Sequence, residues 1–204
     1  MFTKNGNILK INGSWLNPSN SPVPPGPVLP DNTIRLKFID GVTPRFPKGT
    51  PIQVSSSPNV WDLTYEYSDW SNLLAYSNSD LLEVIDANTS NVTEMSSMFS
   101  YCVNLTHVPL FDTSNVTSMF DMFSRCSSLT HIPLFNTSKV TNMESMFWNC
   151  YNVESGALDL YLQASTQTNP PWNHSNCFHN CGSQTITGSA ELSQIPSSWG
   201  GNGA

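Results

Sequence analysis

The sequence predicts an α/β chain: a short solenoid of 24-residue strand–turn–short-helix units, a β-rich cap before it, and an extended proline-rich anchor at the N-terminus. Three observations predict this class. Residues 89–110 (TSNVTEMSSMFSYCVNLTHVPL), 113–134 (TSNVTSMFDMFSRCSSLTHIPL) and 137–153 (TSKVTNMESMFWNCYNV) repeat with a period of 24. Each copy spaces its apolar residues in two ways, one suited to a strand and one to a helix. Charged residues make up only 11% of the 204, while Asn, Ser and Thr number 22, 29 and 17, together a third. That balance is poor in the Lys and Glu of long surface helices. Fifteen prolines against eleven glycines point instead to turns and extended segments.

Taken in order, residues 1–16 read as an anchoring β-hairpin. Ile8-Leu9-Lys10-Ile11 and Ser14-Trp15-Leu16 flank Asn12-Gly13, a two-residue turn signal. A lone hairpin is marginal in water, so Ile8, Ile11, Trp15 and Leu16 are the candidate anchoring side chains. Residues 17–30 hold Pro18, Pro22, Pro24, Pro25, Pro27 and Pro30, a semi-rigid spacer that spans on the order of 40 Å when extended. Residues 31–73 alternate as strands (33–39, 51–54 and 61–65) broken at Asp40-Gly41 and Lys48-Gly49-Thr50. They are expected to cap the open edge of the repeats. The repeats themselves occupy residues 74–160. A degenerate repeat and C-terminal cap fill 161–204, where Cys177-Phe178-x-x-Cys181 repeats Met-Phe-x-x-Cys after an insertion of seven.

Within one unit, Leu105-x-x-Val108-x-Leu110 matches the L-x-x-L-x-L core of a leucine-rich repeat, with these three side chains inward. Val116, Met119, Met122, Phe123 and Cys126 fit one face of a short helix, which Ser114 or Asn115 could cap. A single unit cannot bury both faces; stacked units can, with strands roughly 4.8 Å apart. The expected architecture is therefore a leucine-rich-repeat-like solenoid.

The motif TSNVTxMxxMFxxCxxLTxxPLFDTSNVT resembles the BspA-type leucine-rich repeat of bacterial surface proteins, which also recurs in virion proteins of gut bacteriophages. The resemblance covers about residues 74–160. Asn32-Thr33-Ile34-Arg35, Asn59-Val60-Trp61-Asp62 and Asp69-Trp70 resemble the segment that precedes such repeats in gut-phage proteins. The resemblance implies a non-enzymatic virion structural or fibre-like protein, assembled in the bacterial cytoplasm, with a bacterial cell-surface adhesin as the alternative.

Charge narrows the partners. Residues 1–49 hold six basic residues against Asp31 and Asp40, whereas from residue 50 onward Arg125 and Lys139 face thirteen acids. Such a body repels phosphates, so nucleic acid is not an expected partner. No apolar run reaches the roughly 18 residues of a membrane span, and no leader is visible at the start. The expected partners are other virion proteins through residues 1–30, a second copy of this chain, and a host surface protein or glycan.

No cofactor, metal or catalytic constellation is expected. Cys102, Cys126 and Cys150 share one repeat position and read as a buried row of free thiols. His174, Cys177, His179 and Cys181 lie closer together than the two ligand pairs of a usual zinc site. Asp62, Glu66 and Asp69 are unaccompanied by a nucleophile and read as rim charges. The candidate binding residues are His107, Phe111, His131 and Phe135, expected to face outward in stacked rows beside Pro109 and Pro133. An exposed apolar strip of that kind marks a contact surface, unless residues 161–204 fold over it.

Overall fold

In the computed structural model, residues 28–75 and 78–203 are described in full, with the backbone of 9–11 and 14–16. Strands β1 (Leu9–Ile11) and β2 (Ser14–Leu16) pair antiparallel, Leu9 opposite Leu16. Strands β3 (Thr33–Phe38), β4 (Thr50–Ser56), β5 (Asn59–Thr64) and β6 (Leu81–Asn88) form a single antiparallel sheet in the order β4-β5-β3-β6. The first three coincide with the alternating segments; β6 lies within residues 74–160, the span the sequence assigns to the repeats. Period-2 alternation puts Ile34, Leu36 and Phe38 of β3 into the core, with Leu63, Leu81 and Val84 beside them. On the other face, Arg35 donates two hydrogen bonds to the Asp62 carboxylate at 2.7 and 2.8 Å. Buried Asn59 ties the sheet end together: its amide donates to the carbonyls of Ile39 and Val42, and its oxygen accepts from the Trp61 indole.

The repeats overturn the expected α/β solenoid. Among the described residues, regular structure is the β1–β2 pair, this four-stranded antiparallel sheet, two short helices, α1 (Ala157–Thr166) and α2 (Ile186–Leu192), and a 3-10 turn at Ser197–Trp199. Residues 89–153 contain neither a named strand nor a helix; they are a succession of turns. Two backbone facts explain this. Ser97, Tyr101, Asp121, Arg125, Ser145 and Asn149 all have φ between 55 and 65°, and a right-handed helix cannot run through left-handed residues. The N–H groups also split their bonding. Met98, Ser100 and Cys102 donate three residues back, to Met95, Ser97 and Phe99, while Ser97, Phe99 and Tyr101 donate to Phe120, Met122 and Ser124 at 2.7–2.9 Å. The strand half fails because Pro109 and Pro133 have no N–H to offer. Only isolated parallel bridges remain, among them Glu83 with His107 and His131 with Ser155.

The apolar periodicity nevertheless marks what is buried. Val116, Met119, Met122, Phe123 and Cys126 are all fully buried, although no helix carries them. Phe99, Phe123, Phe147 and Phe178 form a row with centroids 5.3, 5.4 and 5.9 Å apart and nearly parallel planes. Phe111 and Phe135, 5.8 Å apart, form a second row against it. The thiols of Cys102, Cys126 and Cys150 donate to the carbonyls of Leu74, Phe99 and Phe123.

After the repeats, Gly156 at φ 99° turns the chain into α1, and a Cβ there would collide with the Ile132 carbonyl. The Thr185 hydroxyl caps α2 by accepting from the Gly188 N–H. Trp199 closes the phenylalanine row at 6.4 Å from Phe178 and stacks on His174 at 4.1 Å. At the other end, Leu29 is buried and its carbonyl accepts from the Asn88 amide, so the last residues of the proline-rich spacer belong to the fold.

Candidate binding surface

The outer edge of β6 continues directly into the repeats. The Val84 N–H donates to the His107 carbonyl at 3.0 Å, and Thr106 donates back to Leu82 at 2.9 Å. One copy further on, Ile132 donates to Ser155 at 3.0 Å. The result is a line of side chains across neighbouring segments: Lys37, Glu83, His107, His131 and Ser155. Lys37 Nζ lies 3.8 Å from the Glu83 carboxylate, and His131 Nδ1 lies 2.9 Å from the Ser155 hydroxyl. Half-buried His107 titrates below the usual histidine range. Burial disfavours its imidazolium, Glu83 opposes the shift, and His131 adds to it.

His107 is half-buried and His131 exposed, as an outer face requires. Phe111 and Phe135 are not outward: they are 2% and 0% exposed and sit in the stacked core row. Leu110 and Leu134 take the outer position instead, at 64% and 53% exposure. The prolines cause the slip. After Val108 and Ile132 the chain leaves the extended conformation, and Phe135 donates to the Pro133 carbonyl two residues back in a tight three-residue turn. Inward residues are then spaced by three (Val108 and Phe111; Ile132 and Phe135), not by two. Residues 161–204 do not cover this strip, since both leucines remain exposed. The misplaced leucines were signalled in the sequence by Pro109 and Pro133, at which strand alternation should stop.

Of the anchoring residues, Ile8 lies outside the described residues, and only the strand backbone of Ile11, Trp15 and Leu16 is described. All five cysteines are free and buried. Burial pushes the Cys102 thiol up to about 12 and raises the other four as well. Cys177 and Cys181 point into the core while His174 stacks on Trp199. Among the described residues, no group of three or more His, Cys, Asp or Glu is placed to hold a metal ion. Asp62 is engaged by Arg35, and Asp69 is held below the usual carboxylate range by hydrogen bonds from Ser71. No helix among the described residues is long and apolar enough to cross a membrane.

No curated protein and no solved structure matches this chain. Residues 69–185, more than half of the 204, match the family described as Mycoplasma protein of unknown function, DUF285. The matched span begins at the Asp69 bridge to Glu94 and ends at the Thr185 cap of α2, so it takes in every 24-residue copy and both phenylalanine rows. The chain therefore belongs to the DUF285 family, a family associated with BspA-like surface repeat proteins.

Proposed function

We propose that the chain is a non-enzymatic structural protein of a bacteriophage particle, held by its N-terminal hairpin and presenting the repeat face for protein or host-surface binding. The observation that carries this reading is the exposed pair Leu110 and Leu134 beside His107 and His131. Repeat spacing sets these side chains in rows, and leucines left in solvent add little to folding. Two further points support the particle. Residues 32–70 resemble the segment preceding such repeats in gut-phage proteins. The β1–β2 pair, three residues per strand, is also too small to be stable alone and suits folding against a neighbouring subunit or a second copy.

A second reading, an adhesin on the bacterial cell surface, is favoured by the family's association with surface repeat proteins. It uses the same face and differs in what holds the N-terminus. Mass spectrometry of gradient-purified particles, beside antibody labelling of intact cells, separates the two. Signal on particles with none on cells supports the first; the reverse supports the second. A chain lacking residues 1–27, which keeps Leu29, should stay folded yet fail to enter particles. Unfolding of that chain would place the hairpin in the core and defeat the anchor.

A further inference from the structure

Away from the histidine line, Arg125 is the single arginine of the repeats. Its guanidinium carbon lies 5.0 Å from the centre of the Tyr101 ring and 4.3 Å from that of Trp148. The three residues come from consecutive copies. Their spacing is held by the backbone, since Tyr101 N–H donates to Ser124 at 2.9 Å and Arg125 N–H to Trp148 at 2.7 Å. Arg125 Nε is buried without a hydrogen-bond partner. The ion pairs among the described residues are Arg35 with Asp62 and Lys37 with Glu83, so the Arg125 charge has no carboxylate. Local backbone preference does not explain an arginine here. It sits at φ 61°, while the equivalent positions further on are Asn149 and Asn180, a residue type that tolerates the left-handed region far better.

We propose that the Tyr101–Arg125–Trp148 stack is a docking hot spot for an acidic side chain of a partner protein, with the guanidinium taking the carboxylate in a two-pronged hydrogen bond. Trp, Tyr and Arg are the residue types that dominate protein–protein hot spots, and a guanidinium matches a carboxylate with two parallel N–H groups. Stacking between two rings already holds the side chain, so little ordering entropy remains to be lost on binding. A single carboxylate fits better than a phosphate, because thirteen acids against Arg125 and Lys139 beyond residue 49 repel multiply charged anions. The ring faces turned toward Arg125 are covered by the guanidinium, which leaves a cation rather than a free aromatic face for the ligand. That favours an acidic side chain over a sugar ring.

The test is a titration of the full chain, labelled with nitrogen-15, with the singly charged acetyl-Glu-methylamide, with acetyl-Gln-methylamide and with glucuronate, reading the Arg125 Nε–H and Trp148 indole N–H resonances. The glutamate peptide should give saturable shifts in both, and the glutamine peptide none. Arg125→Asn, which suits the backbone and matches the later copies, should keep the rest of the spectrum and lose the response. Arg125→Lys should keep the charge and weaken binding about tenfold, because it loses the planar fork. Absence of shifts with the glutamate peptide, equal shifts in Arg125→Asn, or a response to glucuronate alone would each overturn the proposal.

Discussion

Replacing Phe123 by Ala removes the centre of the core. Phe123 is fully buried and stacks on Phe99 at 5.3 Å, Phe147 at 5.4 Å and Phe135 at 6.0 Å. Truncating a buried Phe to Ala ordinarily costs about 3–5 kcal/mol, the lost transfer energy plus the cavity. The flanking rings are held by inter-copy hydrogen bonds, Phe99 to Met122 at 2.9 Å and Phe147 to Cys177 at 2.8 Å. They cannot close the gap, so the expected cost lies in the upper half of that range, about 4–5 kcal/mol. For a chain of this length such a loss lowers Tm by about 8–20 °C. Urea unfolding followed by far-ultraviolet circular dichroism, with thermal melts beside it, measures both. Phe123→Leu serves as control and should cost less, about 1.5 kcal/mol, because most of the volume stays. A loss below about 1 kcal/mol for Phe123→Ala would refute the stacked-row core, since exposed substitutions fall in that range.

Adjacent residues should behave oppositely at the proline slip: Leu134→Ala should change stability by less than about 0.5 kcal/mol while Phe135→Ala costs at least about 3 kcal/mol. Equal effects in urea melts would contradict the inward spacing of three. Folded protein should leave all five thiols unreactive toward a disulfide reagent near pH 8 and release five on unfolding; rapid labelling of native protein would show that the cysteine row is open. His107 binds its proton more weakly folded than unfolded, so stability is whole above its ordinary value of about 6.5 and falls as pH drops from there toward the folded value. His107→Gln should flatten that loss below about pH 6.5, and an unchanged slope of the urea midpoint against pH would assign it to another group. Gly156→Ala should destabilise, because both the left-handed backbone and the Ile132 carbonyl reject a Cβ; a wild-type melting curve would remove Gly156 from the turn into α1.

The sequence by itself determined which side chains are buried in the turn-forming half of each copy, before the prolines. Apolar spacing in 89–153 singled out Met122, Phe123 and Cys126, and equivalent positions in the neighbouring copies, because burial follows from hydrophobicity and period alone. Alternation likewise located β3, β4 and β5, whose antiparallel pairing keeps the pleat on either side of the register shifts at Arg35–Phe38 and Gln53–Ser55. Tertiary structure alone decided the backbone conformation of the repeats. A spacing of three and four residues fits a helix face, yet it fits equally a turn in which Ser97 and Tyr101 are left-handed and alternate N–H groups bond to the next copy. That choice depends on a neighbour 24 residues away, which local propensity cannot register. The candidate surface divides the same way. His107 and His131 were legible because they precede the prolines, whereas the exchange of Phe111 and Phe135 for Leu110 and Leu134 follows from the turn that Pro109 and Pro133 impose. The unpaired Arg125 between Tyr101 and Trp148 depends on stacking across three copies, and it emerged only once their backbones were hydrogen-bonded in register.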